Sequence, residues 1–194
     1  MEVEVVRWLL GEEYGKRAVL ARLVFYCAPF LKRLKISSMI WMPRTLLHDL
    51  EQLAGELEVG FGQLDKRSGD VLVFLYRREA LCRYLMRARQ QEILLALGYP
   101  EGTLEERIER FAARIRDRRK RGGFPEETGL FLGYPVEDVE GFVLEGGKKE
   151  LCSGYWQVYE RPEEKKALFA LYDQVKVWAV NEFLTGKEAA EICL

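Results

Sequence analysis

Histidine occurs once in 194 residues, at His48, and the four cysteines, Cys27, Cys82, Cys152 and Cys193, include no CxxC pair. Zinc sites gather several His or Cys ligands at short spacing, so the sequence assigns no metal site. Long apolar runs are missing too. The longest, over 19–31, is broken by Arg22 and Pro29 and falls short of the roughly 20 residues that a spanning helix needs. Neither charge is in excess: thirty basic residues against thirty-one acidic ones leave a formal net charge of −1. No global field therefore draws the chain to nucleic acid or to an anionic membrane. There is no phosphate-cradling Gly-rich loop with Lys and Ser/Thr, no GxSxG, no HExxH and no dinucleotide fingerprint. Met1-Glu2-Val3-Glu4 carries acids where a secretory signal carries bases. The expectation is a cytoplasmic protein with reduced thiols and no membrane association.

What is present is an alternation of helical and extended patterns in a chain of about one domain's length, read as a single domain over 1–194. Apolar residues at helical spacing (Val3, Val6, Leu10, then Val19, Leu20, Leu23, Val24, Cys27) predict a helix that Pro29 stops. Residues 37–42 read as a buried strand, with Pro43 opening a helix to about Leu57. Two β-prone runs, 57–64 and 71–76, flank the polar turn 65–70 and predict a hairpin. A helix is expected over 78–97, capped by Gly98. Leu97-Gly98-Tyr99-Pro100 recurs as Leu132-Gly133-Tyr134-Pro135, each copy ending one helix and starting the next. Thr103 and Glu106 fit a capping box before the stripe Leu104, Ile108, Phe111, Ile115. Short helices follow from Phe124-Pro125-Glu126-Glu127 and from Pro135, the latter ended by Gly146-Gly147. Residues 151–159 read as a last strand, and Pro162 opens a long helix with the stripe Leu168, Leu171, Val175, Trp178, Ala179, Phe183.

The fold class implied is α+β: a small mixed sheet of about four strands, including one hairpin, covered by several helices. The strands near Met39, around Ser68 and near Trp156 would form the sheet. The helix after the hairpin and the last helix would be its main cover.

The stretch FPEETGLFLGYPVEDVEGF, followed by CSGYWQVY, and the earlier Cys27-Ala28-Pro29 resemble the signature of the DUF3793-type family, bacterial proteins of unknown function. The resemblance implies no activity. It places a histidine after the Phe-Pro pair, where this chain has Glu126. A family function resting on that histidine would be absent here.

Three chemistries compete. Cys27 and Cys152 sit at element junctions in family-like motifs and admit a thiol-dependent enzyme, although a buried structural cysteine explains each as well and no histidine stands nearby in sequence. The aromatic group around Tyr134, Tyr155 and Trp156, with Gly133 and Gly154 allowing close approach, admits a ligand pocket, against the alternative of core packing. The run Arg114–Arg121 admits phosphate contact. Cations also suit a helix C-terminus, and the acids Glu105, Glu106 and Glu109 balance the other end, so this run reads first as a solvated helix end. The sequence favours a binding or interaction domain for an unknown small molecule or protein. Its ligand-binding candidates are Cys27, Gly133, Tyr134, Asp138, Cys152, Tyr155 and Trp156. No cofactor or oligomeric state is specified.

Overall fold

The computed structural model describes Gly11 and residues 14–193; the part of the first predicted helix that carries Val3, Val6 and Leu10 lies outside the described residues. The chain runs α1 (Gly15–Leu31), β1 (Ser37–Pro43), a 3-10 turn (Arg44–Leu46), α2 (Leu47–Glu56), β2 (Gly60–Lys66) and β3 (Asp70–Tyr76). It continues through α3 (Arg78–Leu85), α4 (Ala88–Ala96), α5 (Leu104–Lys120), α6 (Thr128–Phe131) and α7 (Val136–Glu145). Last come β4 (Cys152–Ser153), β5 (Gln157–Val158), α8 (Pro162–Leu184) and α9 (Ala189–Ile192). The class is α+β. Two compact units divide the chain, one holding the described residues up to Arg77 and from Leu171 onward, the other Arg78–Ala170.

In the first unit β3 is the central strand of an antiparallel sheet of order β1-β3-β2. Its run from Val71 to Tyr76 is buried throughout, as an unbroken apolar run in a central strand requires. A bulge between Gln63 and Asp65 turns Leu64 inward, where it is fully buried. Helices α1 and α2 and the later part of α8 pack on this sheet. Val24, Leu50, Val71, Val73, Leu75, Val175, Ala179 and Phe183 share one apolar cluster.

Several expectations need correction. Pro29 does not stop α1: the backbone kinks at Cys27 (φ −124°, ψ 18°) and the helix resumes to Leu31. Proline sits there in the first turn after the kink, where no N–H is required. Pro43 closes β1 rather than opening a helix. The helix expected over 78–97 is two helices, broken where Arg87 is extended (φ −70°, ψ 148°), and the Gln91 amide donates to the Leu85 carbonyl at the end of α3. Both helices belong to the second unit. The buried face of α8 is Phe169, Tyr172, Val175, Ala179, Val180 and Phe183, while Leu171 and Trp178 stand exposed.

The sheet differs in one further respect. It is not mixed, and residues 151–159 do not join it. That segment folds back on itself as a separate two-stranded hairpin, β4 against β5, with the Gly154 N–H donating to Trp156 O at 3.1 Å and the Leu151 N–H to Val158 O at 2.8 Å. A regular strand would send Tyr155 and Trp156 to opposite faces. The turn instead frees Trp156 to point at α7.

The two LGYP copies are built alike. Gly98 (φ 81°) and Gly133 (φ 68°) both take the left-handed conformation that a residue with a Cβ adopts only under strain. Tyr99 N donates to Leu94 O at 2.8 Å and Tyr134 N to Gly129 O at 2.9 Å, the same six-residue closure after α4 and α6.

Candidate functional site

Within the second unit the structure brings Gly133, Tyr134, Asp138, Tyr155 and Trp156 together. Proline at position 135 starts α7, which places Asp138 in the first turn with its carboxylate turned inward, 2% exposed. Asp138 Oδ2 accepts from Trp156 Nε1 at 2.7 Å. Oδ1 accepts from the backbone N–H of Tyr159 at 2.8 Å and of Glu160 at 3.2 Å. Lys165 Nζ lies 3.8 Å from Oδ2 and donates to Glu137 at 2.7 Å. Burial acts to raise the Glu137 carboxyl, but the Lys165 ammonium outweighs it and holds the group below the usual carboxylate range. The Trp156 ring stacks on Tyr134 with centroids 4.7 Å apart and meets Phe169 edge-on at 4.5 Å. Tyr134 OH donates to Tyr155 O at 3.2 Å, and Tyr134 O accepts from Tyr84 OH.

This part of the signature therefore binds itself. A Cβ on Gly141 would stand 2.4 Å from Tyr159 Cβ, and one on Gly154 would stand 2.3 Å from Phe169 Cδ2. The glycines admit neighbouring rings of the same unit.

The first LGYP copy has a different environment. Tyr99 OH donates to Glu127 Oε1 at 2.8 Å, and Glu127, fully buried, takes the Arg114 guanidinium through both oxygens, Nη2 to Oε2 at 3.2 Å and Nε to Oε1. Burial, then the Glu127 charge, pushes the Tyr99 hydroxyl far above its ordinary range. Glu126 is exposed beside this pair. The carboxylate of Glu127 is thus not spent on the dipole of α6, as its position suggests, but on an internal ion pair. That pair removes Arg114 from the basic run. Arg121 pairs with Asp117 at 3.4 Å and Arg119 lies over Phe124 at 5.7 Å, which leaves a smaller cationic surface than the sequence displays.

Beside Tyr99, residues 100–102 and the face of α5 carrying Glu106, Arg107, Glu109, Arg110 and Ala113 line a cleft of about 440 Å³. Arg107 is 6% exposed. Its Nη2 donates to Gln91 Oε1 at 3.0 Å, its Nε is buried without an acceptor, and no carboxylate among the described residues pairs with it. The sequence reading missed this residue. Its only signal is a charge at the apolar position between Leu104 and Phe111 on the helical stripe.

The cysteines stand apart from this chemistry. Cys27 is buried in the first unit, where Ser38 Oγ donates to its Sγ at 3.3 Å. Burial pushes its thiol up to about 11, against the smaller downward pulls of Ser38 and the Lys35 charge. Cys152 is half-buried in β4 opposite Val158. A raised thiol pKa withholds the thiolate, so Cys27 is unreactive at neutral pH and ionises only as pH passes about 11. Iodoacetamide at pH 8 is expected to label the exposed Cys82 and to leave Cys27 unmodified until the chain unfolds. Peptide mass spectrometry checks this, and rapid native labelling of Cys27 would restore the thiol-enzyme alternative.

Among the described residues no group of three His, Cys, Asp or Glu is placed to hold a metal ion, and no helix is long and apolar enough to cross a membrane. Fold and site together define an α+β protein whose signature residues build the interior of its second unit. The chain belongs to the family described as a protein of unknown function, DUF3793, whose model matches residues 23–193. No curated protein and no solved structure matches it.

Proposed function

We propose that this protein is a small-molecule binding domain, and that it binds in the cleft between the first LGYP turn and α5. Arg107 carries the reading. A guanidinium has five N–H donors, and this one meets a single side-chain acceptor while almost wholly withdrawn from water. An uncompensated buried charge costs several kcal/mol, so a ligand group that supplies acceptors to it gains more here than at a solvated arginine. The volume of about 440 Å³ lies within the range of small-ligand sites. The second LGYP turn and the CSGYW hairpin, where the sequence suggested a pocket, then support the unit that carries the cleft.

Arg107→Met separates binding from structure. Methionine keeps the apolar stem and removes the charge, so its expected effect is a stability unchanged or raised by about 1–3 kcal/mol. In wild type, thermal unfolding against a library of small polar metabolites should show ligand-dependent stabilisation that the variant lacks. A large loss of stability in Arg107→Met, with no ligand response in wild type, would leave Arg107 a structural residue and end the proposal.

A protein partner is the second reading, and a separate observation favours it. In the first unit Trp178, 50% exposed, joins Leu34, Leu171 and Val175 along a groove of about 540 Å³ edged by Lys32 and Glu182. Exposed tryptophan beside exposed leucine is enriched where partners dock.

A further inference from the structure

We infer that the ligand of the Arg107 cleft is a small zwitterion bearing a carboxylate and an ammonium group, of the α-amino acid type; this rests on the binding reading given above. The argument comes from sorting the charges that line the cleft. Five ionisable side chains do so: Glu101, Glu106, Glu109, Arg107 and Arg110. Two of them are already committed. Glu106 Oε2 accepts from the Thr103 N–H at 2.8 Å in the capping box that starts α5, and a Cβ on Gly102 would stand 2.5 Å from that same oxygen. Arg110 lies over the Tyr99 ring at 5.5 Å. Glu106 and Arg110 keep their charges, which are of opposite sign; the ones not so committed are the deep cation Arg107 and the two exposed carboxylates Glu101 and Glu109, neither of which takes part in an ion pair among the described residues.

That remainder discriminates between ligand classes. A simple anion such as phosphate gains Arg107 but is brought up to two like charges at the rim, an arrangement that disfavours it. A simple cation gains the rim and meets the Arg107 charge within. A molecule carrying both signs satisfies both. Its carboxylate matches the planar donor fork of a guanidinium, and its ammonium, with three donors, faces Glu101 and Glu109 across the mouth. Pro100 and Ala113, the apolar members of the lining, leave room for a modest side chain between the two ends.

Isothermal titration of the full chain tests this with matched probes: each of the twenty standard L-amino acids, then, for any that binds, its deaminated acid and its decarboxylated amine, and inorganic phosphate alongside. The expected result is one or more amino acids that bind at least tenfold more tightly than either matched fragment. Arg107→Met should abolish the advantage over the amine, and the double variant Glu101→Gln/Glu109→Gln the advantage over the acid. If the deaminated acid or phosphate binds as tightly as the amino acid and the double variant strengthens it, the zwitterion is wrong and the site takes anions, while the binding reading stands. If no probe binds to wild type, the zwitterion falls and the binding reading is decided by the metabolite screen; if binding survives Arg107→Met unchanged, both fall. The double variant alters only exposed side chains, so it keeps the test decisive even if Arg107→Met fails to fold.

Discussion

Replacing Asp138 by Asn is expected to destabilise the second unit by about 2–4 kcal/mol and to erase hydrogen-exchange protection at the Tyr159 and Glu160 amides. Both oxygens of the buried carboxylate are occupied, by Trp156 Nε1 on one side and by two backbone N–H groups on the other. A carboxamide offers one acceptor where two are needed and presents N–H groups to a donor. Hydrogen bonds to a charged acceptor contribute about 1.5–3 kcal/mol each, and an orphaned buried donor costs about 1–3 kcal/mol. Trp156→Phe removes one donor and should cost less. The double substitution should cost less than the sum of the two, since each removes one end of the same bond. Exchange monitored by mass spectrometry localises the effect. Unchanged protection at Tyr159 in Asp138→Asn would mean that the carboxylate does not hold the β4–β5 hairpin to α7, and would return Asp138 to the list of ligand contacts.

Glu127→Gln should be nearly as costly, at about 3 kcal/mol, because it leaves the Arg114 guanidinium facing a buried amide and deprives Tyr99 OH of a charged acceptor. Arg114 remains about one-third exposed, so water recovers part of its solvation and the loss sits at the lower end of the range for a broken buried pair. Replacing both partners with apolar residues, as in Glu127→Leu with Arg114→Met, is expected to restore most of the stability lost by either single change. Urea unfolding of the four proteins supplies the comparison. A double variant as unstable as the sum of its singles would contradict a coupled pair.

Both experiments bear on Glu126. The resemblance read from the sequence implies a histidine at that position, which in this chain is exposed, one residue from an acid that is wholly buried. Whatever a histidine would do there, the turn is held by Glu127. Glutamate at position 126 therefore leaves the packing of Tyr99, Arg114 and α6 intact.

The sequence by itself determined the features that depend on near neighbours. The capping box at Thr103, the hairpin closed by Gly69, the left-handed Gly98, Gly133 and Gly146, and the α+β class all follow from backbone preferences and spacings of a few residues. Only the tertiary structure decided which charges went inside. Asp138 and Glu140 look equivalent on α7, yet one meets Trp156 eighteen residues away while the other pairs at the surface with Arg89. Arg114 looked like the first of a basic run and is the partner of Glu127; Arg107, which the sequence did not single out, is buried. The same holds for α8: the stripe read from the sequence included Leu171 and Trp178, which stand exposed, while Phe169, Tyr172 and Val180 are buried, so its inward face was chosen by what packs against it. Side-chain burial is settled by contacts between segments far apart in the chain, whose pairing no local pattern encodes.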